Sequence, residues 1–497
     1  MVKLRELFSD TLIYGISSVL ARFVNYLLVP FHTDVFNPAR YGVVGLVYAA
    51  IAFLNVVFTL GMESAYLRYA KDRDHASSIF KTLQLALLGT SSLLALILWA
   101  LEPAILPLLS LSGESSGIFL MMIGILWFDT LSIVPFAELR LVRRSLLFAI
   151  LKVGHVVLNL VLNFWLILGM NLGIEAVFIS NLAASMLVTL VIWAVTFPMM
   201  RGEWNRSLLS RSFSFGWPFI PAGIGYAVNE MLDRFFLNAM DPGAVVQLYG
   251  SAYTPEDIVG IYNACYKLAV FMLLLIQMYR MAWQPFFMRH SDDPDARPLF
   301  ARAFYGFNLF AAALYLFVGL FTRDIVAIEI PVLNATLIGS SYWMGLNIVP
   351  ILMLAYWFHG WYINFSAGIF ISERTRMLPV ITLGGAGITI VANLVLIPLW
   401  GMLGAAWATL LSYASMAISL YLYNQRGFEI PYRMKRAFSV MGWAVLLVFL
   451  APWIISWVPV DELVVRVVLM VVGIAPLLGL GWATIREHPA DEPTSTK

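Results

Sequence analysis

The 497-residue sequence has little charge and almost no cysteine. Charged residues make up 12% of the chain, where a soluble domain has about 25%, and apolar residues make up 61%. A soluble fold of this length could not cover its surface with so few charges. The single cysteine, Cys265, excludes an intramolecular disulfide framework and a CxxC metal cluster. The net charge of +2, with no basic tail, does not indicate nucleic-acid binding.

Motifs of soluble-type catalysis are also absent from the sequence. It contains no HExxH, P-loop or GxSxG pattern, and His75, His290 and His488 have no metal-ligand spacing. The longest polar connections on the side poor in Lys and Arg, near residues 241–256 and 323–345, are too short for a catalytic domain. We therefore expect a protein that is not an enzyme and has no cofactor or metal site.

Long apolar runs take the place of these features. A membrane span needs about 20 mostly apolar residues, and such a run must be helical to satisfy its own backbone hydrogen bonds in lipid. The pattern predicts an all-α polytopic membrane protein with about 14 transmembrane helices. The predicted spans are 10–31, 41–66, 82–101, 117–138, 146–168, 174–198, 213–239, 257–287, 303–322, 346–371, 377–398, 403–423, 437–457 and 463–485. The first of these shows no obvious cleavage site, so we expect it to be retained.

The distribution of Lys and Arg gives an independent test of this count. Every second connection is rich in basic residues, as in Arg68–Lys81, Arg140–Arg144 and Arg201–Arg211. The alternate connections hold only Arg40, Arg323 and Arg466. The positive-inside rule then places both termini in the cytoplasm.

Two segments of the chain echo two others across an offset of six helices. Asn159–Ser185 reads NLVLNFWLILGMNLGIEAVFISNLAAS, and Asn393–Ser415 reads NLVLIPLWGMLGAAWATLLSYAS. A fainter echo links NPARYGVVGL (Asn37–Leu46) with TPEDIVGIY (Thr254–Tyr262). An even displacement preserves the orientation of the helices, so the pattern predicts two parallel repeats.

Several of these segments resemble a known family. The N-terminal segment Ser9–Leu46, SDTLIYGISSVLARFVNYLLVPFHTDVFNPARYGVVGL, resembles the N-terminal signature of bacterial polysaccharide transporters. These are Wzx-type flippases of lipid-linked oligosaccharides, in the superfamily that also holds the MATE drug exporters and the lipid II flippase. DIVGIYNACYKLAVF (Asp257–Phe271), AWQPFFMR (Ala282–Arg289) and the segment Asn393–Ser415 match as well. The matches are spread over roughly the first 425 residues, and their order and spacing are more specific than any one motif.

The resemblance implies a fold, a domain organisation and a function. It implies two parallel six-helix, MATE-like lobes and two C-terminal helices. The predicted parts are an N-lobe (1–199), a cytoplasmic linker (200–212), a C-lobe (213–425) and helices 13–14 with a tail (426–497). The implied function is alternating-access flipping of a polyprenyl-pyrophosphate-linked oligosaccharide to the outer leaflet of the bacterial inner membrane. H⁺ or Na⁺ would be the coupling ions, and a polysaccharide polymerase complex would be a partner.

Other functions stay open at the level of sequence. A lipid II flippase and an ion-coupled multidrug exporter share the superfamily. The lipid II flippase has an Arg-Asp pair in its first helix where this chain has Asn25-Tyr26, which argues against lipid II. A membrane oligosaccharide polymerase or ligase is the competing enzymatic class.

Basic residues inside predicted spans are the candidate substrate contacts. A charge at the bilayer centre costs about 2.5–3.5 kcal/mol, so it needs a partner or a wet cavity, and Arg and Lys bind phosphate oxygens. Arg22 would contact phosphate or sugar, or pair with Glu63 or Asp129; Arg280 would bind substrate or reach the headgroups. The predicted substrate-binding residues are Arg22, Asn25, Lys267, Arg280, Tyr262, Asn263, Tyr266 and Asn364.

Titratable side chains in the spans are the candidate ion-coupling groups. Glu230 and Arg234 have the spacing of a same-helix ion pair, which leaves Asp233 or Glu230 as a protonatable group. His359 titrates near neutrality and is a candidate proton relay, although a histidine among aromatic residues is more often a packing residue. The predicted ion-coupling residues are Asp129, Glu230, Asp233 and His359.

Overall fold

The computed structural model describes residues 26–71, 73–111, 117–331, 335–372, 374 and 376–486, with side chains up to residue 477. Almost all of this chain is helical. The helices are α1 (Leu28–Val35), α2 (Pro38–Thr59), α3 (Met62–Tyr69), α4 (Ala76–Ala100), α5 (Glu102–Ile105), α6 (Gly117–Leu141), α7 (Ser145–Phe164), α8 (Glu175–Thr196), α9 (Arg206–Gly216), α10 (Phe219–Asn238), α11 (Pro242–Tyr249), α12 (Pro255–Arg289), α13 (Ala296–Val326), α14 (Val349–Ile371), α15 (Met377–Trp400), α16 (Met402–Gln425), α17 (Met434–Trp457) and α18 (Glu462–Arg486).

Short irregular elements link some of these helices. Turns of 3-10 helix cover Leu106–Leu109, Phe197–Arg201 and Ser340–Ile348, and one π-helical turn covers Trp165–Gly169. A single antiparallel pair of strands, β1 (Glu329–Ile330) and β2 (Ala335–Thr336), joins Ile330 to Ala335 in the connection before α14.

The predicted spans agree with the observed helices. Eleven helical segments of the described residues are long and apolar enough to cross a membrane, and they coincide with predicted spans 2 to 6 and 8 to 13. Helices α10 and α18 lie at the positions of spans 7 and 14. Most of predicted span 1 (10–31) lies outside the described residues. The prediction of an all-α polytopic membrane protein is confirmed.

Local capping signals fix where several helices begin. The Asn37 side chain accepts a hydrogen bond from the Arg40 backbone N–H at 3.0 Å, and Pro38 opens α2. Asn205 caps α9 by accepting from the Ser207 and Leu208 backbone at 2.9 and 3.1 Å. These caps fix the residues at which α2 and α9 begin.

The described chain forms two compact units, Met1–Asn263 and Ala264–Lys497. The division falls inside α12, whereas the predicted lobes divide at residues 200–212. The predicted linker also differs from the structure locally, because α9 begins within it at Arg206. The assignment of two functional lobes stays a prediction.

An ion pair between a buried carboxylate and an exposed guanidinium lies at one end of the first unit. The Glu138 carboxylate, on α6, accepts two hydrogen bonds from the Arg73 guanidinium at 2.7 and 2.8 Å and one from the Tyr66 hydroxyl at 2.7 Å. Glu138 is 4% exposed. The hydrogen bonds to this carboxylate raise the pKa of Arg73, which lies in the connection between α3 and α4.

An amide organises the interior of the second unit. The Asn308 side-chain oxygen, on α13, accepts the indole N–H of Trp357 at 2.9 Å and that of Trp361 at 2.7 Å, both from α14. Its amide nitrogen donates to the Phe304 carbonyl at 2.8 Å. Both indoles are completely buried, so Asn308 joins α13 to α14 and holds two large side chains in the core.

Candidate functional site in the buried polar clusters

Three charged side chains are buried together on α10 in the first unit. The Arg234 guanidinium donates to the Asp233 carboxylate at 2.8 Å and to the Glu230 backbone carbonyl at 2.6 Å. The Tyr262 hydroxyl, from α12, donates to the other Asp233 oxygen at 2.5 Å. The sequence spacing predicted a Glu230–Arg234 pair, but the ion pair in the structure joins Arg234 to Asp233. The Asp233 carboxylate is therefore paired with a neighbouring cation and accepts a hydrogen bond from a hydroxyl.

A second polar cluster of the first unit surrounds Asp129. The Asp129 carboxylate, on α6, faces Ser185 of α8 and Lys152 and His155 of α7. His155 Nε2 lies 3.1 Å from the Ser185 hydroxyl. Asp129 and His155 are half-buried. The cluster brings a carboxylate, a hydroxyl and an imidazole close together, and the carboxylate and the imidazole are groups that can each carry a proton.

The Lys152 side chain, on α7, contacts an aromatic ring of α6. Its ammonium lies 4.1 Å from the centre of the Phe136 ring, which is the geometry of a cation–π contact. The side chain is exposed and is also influenced by the charges of Glu63 and Arg140. This places a cation on the same helix face as His155, one turn away.

Tyrosine and asparagine side chains form the polar interior of the second unit. The Tyr266 and Tyr356 hydroxyls share a hydrogen bond of 2.5 Å, and Lys267, next along α12, is half-buried. The Asn364 side-chain oxygen accepts from the Tyr279 hydroxyl at 2.5 Å, and its nitrogen donates to the Gly360 carbonyl at 2.9 Å. Asn364 is fully buried with its amide satisfied, which favours a packing role over direct contact with a substrate.

Arg280 and His359 lie close enough to interact in the second unit. Arg280 is exposed on α12, and its charge acts on both His359 and Tyr362 of α14. His359 is 9% exposed and packs on the Tyr413 ring with centroids 4.8 Å apart. Its Nδ1 atom has no hydrogen-bond partner among the described residues. The Tyr362 hydroxyl is 3.4 Å from the Thr382 hydroxyl.

The predicted site residues that the structure describes lie in separate clusters of the two units, so their assignment to one site stays a prediction. Arg22 and Asn25 lie outside the described residues. Asn263 is 7% exposed and its amide packs against Gly45 of α2. Within the described residues, no group of three or more His, Cys, Asp or Glu side chains is placed to hold a metal ion.

Sequence reasoning missed the partners of Asp129. His155 and Ser185 stand on two different helices, and no spacing along the chain relates either to Asp129. The separation of three residues between Lys152 and His155 was the available signal, because it puts both side chains on one face of α7. His32 was missed in the same way: its Nε2 lies 3.0 Å from the Asn163 side-chain oxygen.

Comparison with known proteins identifies the fold. The family described as polysaccharide biosynthesis protein matches residues 7–291, which is more than half of the chain. Curated protein sequences give no match. The solved structure of the lipid II flippase MurJ, in an inward closed conformation, is similar with a TM-score of 0.67 and 13% identity. That likeness covers 97% of this chain and 99% of MurJ.

Two further solved structures belong to the same superfamily. An inward-facing multidrug resistance MATE family transporter of the MOP superfamily has a TM-score of 0.60 at 15% identity, covering 84% of this chain and 94% of that protein. A MOP superfamily transporter from Pyrococcus furiosus has a TM-score of 0.55 at 14% identity, covering 85% and 94%. At such identities these likenesses show that this chain shares the fold of those transporters, and they leave its substrate open.

Proposed function

The chain belongs to the polysaccharide biosynthesis protein family, and on this basis we propose that it is a flippase of lipid-linked oligosaccharides. It would move a polyprenyl-pyrophosphate-linked oligosaccharide from the cytoplasmic to the outer leaflet of the bacterial inner membrane by alternating access. Surface polysaccharide assembly would use the product. The family match is the observation that carries this proposal, and the MOP-superfamily fold is consistent with it.

Basic side chains within apolar helices support a phosphate-bearing substrate. Lys267 and Arg280 both lie on α12, a helix of transmembrane length whose most apolar stretch is 78% buried. Keeping charges there is costly in a membrane unless a partner compensates for it. Pyrophosphate oxygens would accept charge-assisted hydrogen bonds from these groups. We assign Lys267 and Arg280 to the lipid pyrophosphate at different stages of the transport step, because 13 residues of α12 separate them by about 20 Å; Tyr362 lies beside Arg280.

Asp129 is our favoured ion-coupling residue. The Asp233 carboxylate is already engaged by Arg234 and Tyr262, whereas Asp129 is half-buried and pairs with no cation at salt-bridge distance among the described residues. The groups that face Asp129 are Lys152 and His155 from α7 and Ser185 from α8. Tyr48 of α2 also lies within reach of its charge. We propose that proton exchange between Asp129 and His155 couples to the transport step, with Glu230, Asp233 and His359 as the remaining candidates.

A reconstituted transport assay tests the proposed function. Purified protein would be placed in liposomes with an undecaprenyl-pyrophosphate oligosaccharide, and the appearance of the glycan in the opposite leaflet would be followed with and without a pH or Na⁺ gradient. Protein-dependent movement is expected, and its response to each gradient identifies the coupling ion. No movement of any sugar-lipid, together with efflux of a cationic dye, would overturn the proposal in favour of a drug exporter.

Lys267→Ala is expected to slow flipping by about tenfold or more, because one charge-assisted hydrogen bond to phosphate is lost. Arg22→Ala is expected to act in the same way. Lys435→Ala is the matched control, since Lys435 is an exposed basic residue in the first turn of α17. The amount of inserted protein is measured for each variant. Flipping at the parental rate by both Lys267→Ala and Arg22→Ala would contradict the assignment of the two cations.

A lipid II flippase is the second candidate function. The likeness to MurJ extends over nearly the whole of both chains, whereas the MATE structures cover about five-sixths of this one. Both candidates move an undecaprenyl pyrophosphate, and they differ in the glycan. Offering lipid II and the oligosaccharide lipid to the same liposomes separates the two candidate functions, because the protein should move its own substrate faster than the other lipid.

A further inference from the structure

A pocket of about 710 Å³ opens at one end of the first unit. Four separate connections build it: the turn before α2, the end of the 3-10 helix Leu106–Leu109, the loop before α8, and the start of α12. Its polar lining consists of Arg40, Ser110, Asn171, Glu175 and Glu256. The volume lies within the range of ligand sites, about 300–1,000 Å³.

The pocket lies on the side of the unit that we assign to the outside of the cell. The connections rich in Lys and Arg, which include residues 68–81, 140–144 and 201–211, stand at the other ends of the same helices. By the positive-inside rule that other end faces the cytoplasm. The pocket therefore meets a substrate at the end of the transport step.

Charges of both signs line this pocket without pairing with each other. Within the described residues, neither Arg40, Glu175 nor Glu256 forms an ion pair. Glu256 accepts one hydrogen bond, from the Ser110 hydroxyl at 2.9 Å, which leaves most of its acceptor capacity unused. These side chains are held at helix starts and loops, where they face the open volume.

The chemistry of the lining suits sugar hydroxyls better than phosphate. Two carboxylates against one guanidinium would repel a pyrophosphate. Carboxylate and amide oxygens accept hydrogen bonds from hydroxyls, and Arg40 and the Asn171 amide nitrogen donate to sugar oxygens. Phe36 and Val35 add an apolar wall against which the carbon face of a sugar ring can pack.

We propose that this outer pocket is a glycan subsite, which holds the sugars of the flipped lipid before release. The proposal rests on the proposed function, because it takes the glycan of that substrate as its ligand. Arg40, Asn171, Glu175 and Glu256 make the polar contacts. The pyrophosphate stays outside the pocket.

The test uses the fact that Cys265, the chain's one cysteine, is buried. Ala39→Cys places a thiol in the pocket lining, and Gln247→Cys places one on α11, outside the pocket. Both variants, in right-side-out membrane vesicles, are treated with a membrane-impermeant maleimide. The probes are the oligosaccharides that mild acid releases from the lipid-linked pool of the same cells and, separately, inorganic pyrophosphate.

The oligosaccharides are expected to slow labelling at position 39 and leave position 247 unchanged. Adding Glu175→Gln or Glu256→Gln to the Ala39→Cys variant should raise the half-protecting concentration about tenfold, because a hydrogen bond to a charged group is weakened. Three results would each overturn the subsite. The oligosaccharides could leave the rate of labelling at position 39 unchanged, pyrophosphate could slow it instead, or the thiol at position 39 could fail to react from outside.

The same preparations separate this proposal from the function it rests on. Flipping in liposomes without protection at position 39 would overturn the subsite alone. Protection that depends on Glu175 and Glu256, in a protein that flips no sugar-lipid, would support the sugar site and overturn the flippase.

Discussion

Asn308 contributes to stability through two hydrogen bonds that its sequence context does not predict. Replacing it with Leu keeps the size of the side chain but leaves the Trp357 and Trp361 indole N–H groups buried without an acceptor. We expect the free energy of unfolding to fall by about 2 kcal/mol. Each unsatisfied donor costs about 1–3 kcal/mol, and hydrogen bonds between membrane helices contribute amounts at the low end of that range. The measurement is the apparent melting temperature in detergent at a fixed scan rate.

Asn393 is the matched control for that variant. It is also a buried amide of the second unit, but neither its oxygen nor its nitrogen has a hydrogen-bond partner among the described residues. Asn393→Leu removes a polar group that gains nothing by burial, so its melting temperature should stay equal or rise. An equal loss in both variants would show that the two indole hydrogen bonds do not explain the role of Asn308.

These residues mark how far single positions can be predicted from sequence. Charges in apolar runs stand out, and the structure places Glu230, Asp233 and Arg234 in the interior as expected. Their partners could not be read from spacing: Arg234 pairs with its neighbour Asp233, and Asp129 meets His155 and Ser185 from other helices. Such contacts depend on tertiary packing, which a helical period does not encode. The substrate and coupling roles of these residues remain predictions.

At the level of helices, the fainter sequence echo corresponds to a physical contact. Gly42, in NPARYGVVGL, faces the Glu256 carbonyl oxygen, four residues before Gly260. Gly260, in TPEDIVGIY, faces the Pro38 carbonyl oxygen, four residues before Gly42. The two helix starts therefore cross reciprocally, with a glycine from each allowing the backbones to touch.

A methyl group at this crossing is expected to be severely disruptive. In Gly42→Ala or Gly260→Ala the new Cβ would overlap a backbone carbonyl that no side-chain rotation can move, so α2 and α12 must separate. We expect poor yields of folded protein by size-exclusion chromatography. Gly387→Ala on α15 is the control, because a Cβ there meets nothing within 4 Å. The control should be neutral or stabilised by about 0.5–1 kcal/mol. Normal yields of Gly260→Ala would refute the close crossing.

The helices themselves were largely predictable, and the elements that were missed share a physical reason. Apolar runs and their Lys- and Arg-rich connections located the spans, because membrane thickness and backbone hydrogen bonding constrain both. The sequence pattern did not predict helices α9 and α11 or the β1–β2 pair, since each is short and lies in a polar connection. Their starts were nonetheless signalled by Asn205 and by Asp241-Pro242, which cap α9 and α11.

For the whole molecule, the charge pattern predicts which connections face the cytoplasm. Four exposed positions test it as variants with one added cysteine beside the buried Cys265: Gln247→Cys and Glu203→Cys in the first unit, and Val460→Cys and Lys435→Cys in the second. In intact spheroplasts a membrane-impermeant maleimide should label positions 247 and 460. Positions 203 and 435 should react only after the membrane is permeabilised, because their connections carry the positive charge that stays in the cytoplasm.

Each unit provides its own control in that experiment, since one of its two positions should be accessible and the other protected. Parallel repeats require positions 203 and 435 to lie on the same side of the membrane, because the predicted six-helix offset separates their connections and a displacement by an even number of helices preserves direction. Labelling of position 435 with protection of position 460, while the first unit behaves as expected, would mean that the span count between the units is odd. The six-helix offset of the echoes, and with it the two-lobe organisation inferred from them, would then be wrong.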